Sequence, residues 1–252
     1  MPSTPATASI CRVLEEDPDL AEGLTPERRA EATARCLATA IRIPRGRWPV
    51  TPQAALPGGI GLLVLEGLIV RRVGIDGRNG AEILGEGDLM RPWRHAEPWG
   101  SLSATSGWRV LRGVRAAVLD EAAAQRFAQF PELIGGLVDR ALERTRNLSV
   151  NMTIVHHARV QTRVHMLLWH LADRWGRVGR DGVLLPLSLT HSVLADLVAA
   201  RRPTVTSALS ELAGQGLVSA RDGGWLLRGE RPGELRELDV AAVRDPLSAS
   251  QP

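Results

Sequence analysis

The chain has no lysine and no tyrosine, and only two cysteines and two phenylalanines in 252 residues. Two cysteines, Cys11 and Cys36, cannot build a disulfide scaffold. Nor can they supply the roughly four clustered thiolates of an iron–sulfur centre. No run reaches the ~18 consecutive apolar residues of a membrane helix. The longest candidate, Gly59 to Val70, is interrupted by Glu66. Met1 to Ala8 has no basic stretch followed by an apolar run, so no secretory signal is read there. These absences lead to the expectation of a soluble, cytoplasmic protein with no membrane partner. An excess of one charge is also missing: 31 basic residues, all arginine, stand against 28 acids, for a net +3. That balance alone marks no partner. An arginine-only basic set, with seven tryptophans beside no tyrosine, fits a GC-rich coding bias. What remains is ordinary for a globular chain, at 44% apolar and 23% charged residues.

Three enzyme signatures are absent too: the Gly-rich phosphate loop, the HExxH metal motif and the G-x-S-x-G nucleophile elbow. The chain is therefore read as a non-enzyme with no catalytic residues.

Along the chain the texture changes several times. Residues 1–23 carry Pro2, Pro5, Pro18 and the acidic run Glu15-Glu16-Asp17 and are expected to form a loose arm. Thr25 before Pro26 starts a short helix, expected to run to about Thr39. From Ile41 to Asp120, frequent glycines separate short apolar runs, which predicts an all-β sandwich or barrel. Asp76-Gly77 is a hairpin turn signal. Glu121 to Phe130 reads as a helix, and Pro131 opens a longer one. In it Ile134, Val138, Ala141, Thr145, Leu148, Met152 and Val155 alternate spacings of four and three. That heptad stripe either packs on its own β domain or forms a seam with a second helix. Val160, Val164, Leu167, Leu168, Leu171 and Trp175 give a third helix one broad apolar face.

Leu189 to Val218 fits two short helices. The second starts near Arg202-Pro203 and turns Val205, Ala208, Leu209 and Leu212 inward. Its opposite face, Pro203, Ser207, Ser210 and Gly214 flanked by Thr206, is small or polar, so it can lie in a DNA major groove about 12 Å wide. Val218 to Leu227 reads as strand, Gly-rich turn and strand, a wing. Between Ala158 and Glu230 there are nine arginines against six acids. Arg201, Arg202 and Arg221 fall where phosphates or base edges would pass. An αα-hairpin that only packs is the plain alternative.

The arrangement resembles the Crp/Fnr family of bacterial transcription regulators. Leu189-Thr190, Leu194-Ala195, Arg202, Thr204-Val205, Ala208-Leu209, Leu212 and Gly216-Leu217-Val218 resemble its helix-turn-helix signature. Gly85-Glu86-Gly87-Asp88-Leu89 and Leu63 to Gly67 resemble segments of its β-roll. The resemblance implies an α+β fold. A cyclic-nucleotide-binding-like jelly roll spans 41–130, a dimerisation helix 131–157 and a winged helix-turn-helix 158–230. An arm and helix (1–40) precede these and a tail (231–252) follows. It further implies a homodimer on double-stranded, two-fold symmetric DNA, with RNA polymerase as a further partner. The DNA-contacting set would be Arg201, Arg202, Thr204, Thr206, Ser207, Ser210 and Arg221. By resemblance Arg202 reaches a guanine, and a guanidinium can indeed contact O6 and N7 together. The chain departs from the family where Pro203 replaces a common acidic residue, Ser207 a second arginine, and Arg201 a small cap. A different operator is therefore expected. The alternative is an effector-binding module whose winged helix makes protein contacts only.

The effector, if one exists, stays unknown. Relatives that bind cyclic nucleotides carry a Gly-Glu pair and then an arginine beside Ser or Thr. Neither is evident between Met90 and Thr105. Arg91, Trp93, Arg94 and Trp99 are the candidate effector contacts, and the two tryptophans either line a pocket or fill the roll. A haem would need an axial ligand, for which His95, Met90 and Cys36 are the candidates. His156-His157 reads as a polar helix end, and no metal site is assigned.

Overall fold

The computed structural model describes residues 9–50, 58–76, 78–93 and 104–233. The chain divides into two compact units, Met1–Ser149 and Val150–Pro252. The first contains β1 (Ser9–Arg12), α1 (Val13–Glu16), a 3-10 turn (Pro18–Ala21), α2 (Pro26–Arg35), β2 (Leu37–Ile43), β3 (Gly46–Trp48), β4 (Gly61–Ile75), β5 (Arg78–Leu84), β6 (Leu89–Met90), β7 (Ala104–Leu119) and α3 (Glu121–Phe127). Helix α4 (Pro131–Val155) starts in the first unit and ends in the second. The second continues with α5 (Val160–Trp175), β8 (Arg177–Gly179), β9 (Gly182–Leu185), α6 (His191–Leu197), α7 (Arg202–Gly214), β10 (Val218–Arg221) and β11 (Gly224–Leu227).

In the first unit the strands lie in the order β1-β2-β7-β4-β5, with β3 added to β7 and β6 to β4. All pairs are antiparallel. Strands β4 and β7 are the spine. Alternation of side chains along a strand gives them two cores. Leu62, Val64, Val110, Val114 and Ala116 join Ile43, Leu84, Met90 and Trp108 inside the roll. Leu63, Leu65, Ala117 and Leu119 face the other way, onto Phe127, Phe130, Leu133 and Leu137. On β4 the inward positions change from even (Leu62, Val64) to odd (Ile69). The pairing with β7 is irregular between Val64 and Ile69, as a β-bulge requires. Gly67 sits in that bulge at φ 111°. A Cβ there would lie 2.5 Å from the Gly113 carbonyl oxygen. The hairpin expected at Asp76-Gly77 has Ile75 opposite Arg78, a two-residue connection. Asp76 adopts φ 50°.

The N-terminal expectations need correcting. From residue 9 the arm is ordered, and Cys11, Val13, Leu14 and Leu20 are buried in the second core. Strand β1 pairs with β2, Cys11 opposite Ala38. The helix begins as expected, with the Thr25 Oγ1 accepting from the Arg28 N–H. It ends at Arg35 rather than Thr39, and Leu37–Ile43 is a strand of the roll. Alanine and leucine are good helix formers, so the stretch reads locally as helix. Pairing with both β1 and β7 overrides that preference. Cys11 and Cys36 are free and buried. Burial pushes both thiols up, Cys36 to about 11, which makes them poor nucleophiles near neutrality.

Helix α4 docks by one face. Leu133 and Leu137 are in the second core, and Arg140 and Arg144 follow at the same spacing. Arg140 forms a fork with the carboxylate of Asp17, its Nη2 2.8 Å from Oδ1. Arg144 grips both oxygens of buried Glu82, from Nε at 3.1 Å and Nη2 at 2.5 Å. Its Nη1 donates to the Leu89 carbonyl. Removing one partner from such a buried pair costs about 3–5 kcal/mol.

In the second unit α5 buries Val164, Met166, Leu167, Leu168 and Leu171, and the sheet runs β10-β11-β9-β8. The β8–β9 hairpin was not expected from sequence.

The bulge makes the first prediction. Gly67→Ala places a methyl against fixed backbone at a positive φ, where strain costs about 1–3 kcal/mol. Thermal unfolding should show a clearly lowered Tm. An unchanged Tm would mean that the bulge can relax.

Candidate nucleic-acid interface

The C-terminal unit positions α7 by three devices. Thr190 caps α6, its Oγ1 accepting from the Val193 N–H at 3.3 Å. At the far end of α6 the chain turns through Ala199 at φ 50°, and the Ala200 N–H donates to the Ala195 carbonyl at 2.9 Å. This left-handed turn usually employs glycine, and alanine accepts some strain there. Arg163 of α5 donates to the Val198 carbonyl and Asn151 of α4 to the Leu197 carbonyl. Both contacts satisfy carbonyls that the end of a helix leaves open.

Helix α7 then starts at Arg202. Arg201 is the N-cap, extended at φ −81° and ψ 144°, and its side chain makes no capping bond. Pro203 lies in the first turn and has no N–H to satisfy. Val205, Ala208, Leu209 and Leu212 are buried, while Arg202, Pro203, Thr204, Thr206, Ser207, Ser210 and Gly214 are exposed. Past the helix, Gly216 adopts φ 73° and the Leu217 N–H donates back to the Leu212 carbonyl. That is the C-terminal motif its sequence suggested.

The exposed hydroxyls have a common chemistry. Thr206 donates to the Arg202 carbonyl, Ser207 to Pro203 and Ser210 to Thr206, at 3.1, 3.3 and 3.1 Å. Each spends its hydrogen on the helix and turns acceptor lone pairs outward, suited to the exocyclic amines of adenine or cytosine. Thr206 has a further tie. His191 Nδ1 lies 2.9 Å from its Oγ1, and the His191 ring leans on Trp225 of β11 at 6.3 Å. His191 and Trp225 thus join α6, α7 and the wing. Sequence reasoning missed both, because a first-turn histidine and a strand tryptophan carry no spacing signal. Among the described residues Thr204, Ser207 and Ser210 have no such tether.

The wing places exposed Arg221 opposite Gly224, at the turn end of its hairpin. Gly223 takes φ 79°, and Ser188 holds its carbonyl at 3.1 Å. The structure therefore brings Arg202, Thr204, Thr206, Ser207 and Ser210 together on α7, with Arg201 at its N-cap and Arg221 on the adjoining hairpin.

In the first unit, the effector candidates fare differently. Arg91 donates from Nε to the Ile60 carbonyl at 2.6 Å and from Nη2 to Gly59 at 3.0 Å, so its fork holds a loop. Trp93 packs on the roll's interior core. Arg94 and Trp99, like His95, lie outside the described residues. Met90 and Cys36 are buried in different cores and do not converge on one site. Among the described residues no group of three or more His, Cys, Asp or Glu could hold a metal. Beside the interior core, Arg71 and buried Glu82 lie 2.6 Å apart. Arg144 clasps the same carboxylate. Arg71 also lies over the Trp108 ring, 6.0 Å from its centroid. Burial holds the Arg71 guanidinium below its usual pKa.

On α4, the stripe residues Val138, Ala141, Thr145 and Met152 are exposed and Ile134, Leu148 and Val155 half-buried. Val138 is 52% exposed, Met152 63% and neighbouring Leu142 62%. The stripe is mostly open to solvent on a single chain. Among the described residues no helix is long and apolar enough to cross a membrane.

A family profile for the Crp-like helix-turn-helix domain matches residues 162–238. No curated protein matches the chain by sequence. Solved structures share its fold. A cyclic nucleotide-binding domain containing protein from Listeria monocytogenes superposes with a TM-score of 0.61 at 13% identity, over 85% of this chain and 97% of that one. A CooA mutant from Carboxydothermus hydrogenoformans gives 0.57 at 17% identity, over 75% and 83%. FixK2 from Bradyrhizobium japonicum gives 0.55 at 18% identity, over 81% and 98%. Residues 162–238 are thus a Crp-like helix-turn-helix domain carried on the fold those structures share, and the chain is a DNA-binding transcription regulator.

Proposed function

We propose that the chain acts as a homodimer on a two-fold symmetric operator, without catalytic activity, in the cytoplasm. In this reading residues 41–130 are a sensor-like roll and 131–157 pair two subunits. Residues 158–230 then read DNA. The observation that carries it is the division of α7 into a buried apolar face and an exposed face with one guanidinium, four hydroxyls and a glycine. A second helix along the α4 stripe would cover Val138 and Met152, which stand open here. Two recognition helices would then sit one DNA turn apart, about 34 Å. Arg202 is the base reader, and Arg201 and Arg221 neutralise phosphates. An effector that entered the roll would meet the Arg71–Glu82–Arg144 cluster, and through Arg144 it would act on α4.

Three measurements test this. Arg202→Ala should weaken operator binding by about 1–3 kcal/mol and relax one base position. Equal loss on operator and random DNA would contradict base reading. Leu148→Glu or Met152→Glu should give monomers in sedimentation, and persistent dimers would place the seam elsewhere. Binding should weaken steeply with salt, as release of counterions demands. A flat salt response would favour the alternative, a winged helix used for protein contacts.

A further inference from the structure

Strands β2, β3 and β7, with the link between β2 and β3, contain Arg42, Arg45, Arg47, Arg109, Arg112 and Arg115 and no acidic residue. The register sets like against like: Arg42 stands opposite Arg115, and Arg47 opposite Arg109. Like charges directly across a strand pair are destabilising, so local stability does not explain the arrangement. Arg115 meets Glu16 and Arg112 meets Glu86. Arg42, Arg45, Arg47 and Arg109 are exposed and meet no carboxylate among the described residues. Trp48 and Trp108 alternate with Arg47 and Arg109 and pack on the roll's interior core. Arg47 and Arg109 therefore face away from it, as does Arg42 between Ile41 and Ile43. Arg115 is six positions along β7 from Arg109, about 20 Å of strand.

The chemistry of this face selects its partner. Protein interfaces have an apolar centre. Among the described residues the exposed large apolar side chains are Ile10, Ile75, Val138, Leu142, Met152 and Val178, and none lies on β2, β3 or β7. A guanidinium face without large exposed apolar side chains suits a phosphate backbone, which arginine binds irrespective of sequence. We propose that the outer face of β2, β3 and β7 is a second nucleic-acid contact, made to the phosphates of duplex DNA outside the operator. The proposal rests on the reading of α7. A chain held on DNA by its winged helix meets further phosphates at high effective concentration, so even a weak second contact counts.

The test uses the full chain and two duplexes selected for binding: the operator alone, and the operator with flanks of about two helical turns (each ~10 bp) on both sides. The longer duplex should bind more tightly, with a log K against log salt slope steeper by about 2–4. A variant carrying Arg42→Ala, Arg45→Ala, Arg47→Ala and Arg109→Ala should keep its Tm and its affinity for the short duplex. It should also lose the extra slope on the long one. Equal slopes for wild type, or a variant that keeps the extra slope, would overturn the second contact and leave the α7 reading intact. Failure of wild type to bind either duplex would overturn both. Capture of polyglutamate with equal slopes on the two duplexes would overturn the DNA assignment and give the face to an acidic protein.

Discussion

Helix α4 must serve the roll on one side and stay open on another, and much of the rest follows from how it does so. Leu133, Leu137, Arg140 and Arg144 repeat at spacings of four, three and four. The stripe from Ile134 to Val155 repeats the same way, one residue on. One residue is about 100° around a helix, so two parallel tracks run side by side without competing. The docking track ends in arginines rather than apolar residues. Their forks reach acids far away in the chain, Asp17 and Glu82. Orientation is thus set by bidentate geometry, which tolerates little rotation, and not only by apolar contact, which is indifferent to it.

The same economy appears in the sheet. Strands β4 and β7 each supply two cores by alternation, and this works only if the phase is right on both sides of the bulge. The bulge at Gly67 resets the phase of β4, so that Ile69 and Arg71 turn into the roll. Arg71 can then meet Glu82 from β5 beside the Trp108 ring. A local backbone irregularity thereby decides which charges lie inside the roll.

The C-terminal domain was the more legible from sequence. The faces of α5 and α7 follow from helical periodicity, and the wing from a Gly-rich turn between apolar pairs. The N-terminal part was less legible for physical reasons. Ser9–Arg12 is too short for a periodic signal, and Leu37–Ile43 has the composition of a helix but the pairing of a strand. The Arg140–Asp17 contact spans 123 positions, a separation that no local pattern encodes. At the candidate site, the exposed hydroxyls were legible as a class. Their ranking was not, because the tether on Thr206 depends on His191 and Trp225 meeting in space. Arg91 looked available in sequence, and only the fold shows its fork spent on the Gly59 and Ile60 carbonyls.

The open stripe on α4 also bears on how such a regulator would respond to its own abundance. Where pairing is needed for two recognition helices to act together, occupancy of an operator rises with roughly the square of chain concentration until the seam is saturated, and only linearly after that. A partly apolar seam that includes Ala141 and Thr145 places that crossover at higher concentration than a fully aliphatic one would. Small changes in synthesis or turnover would then be amplified at the promoter before any ligand acts.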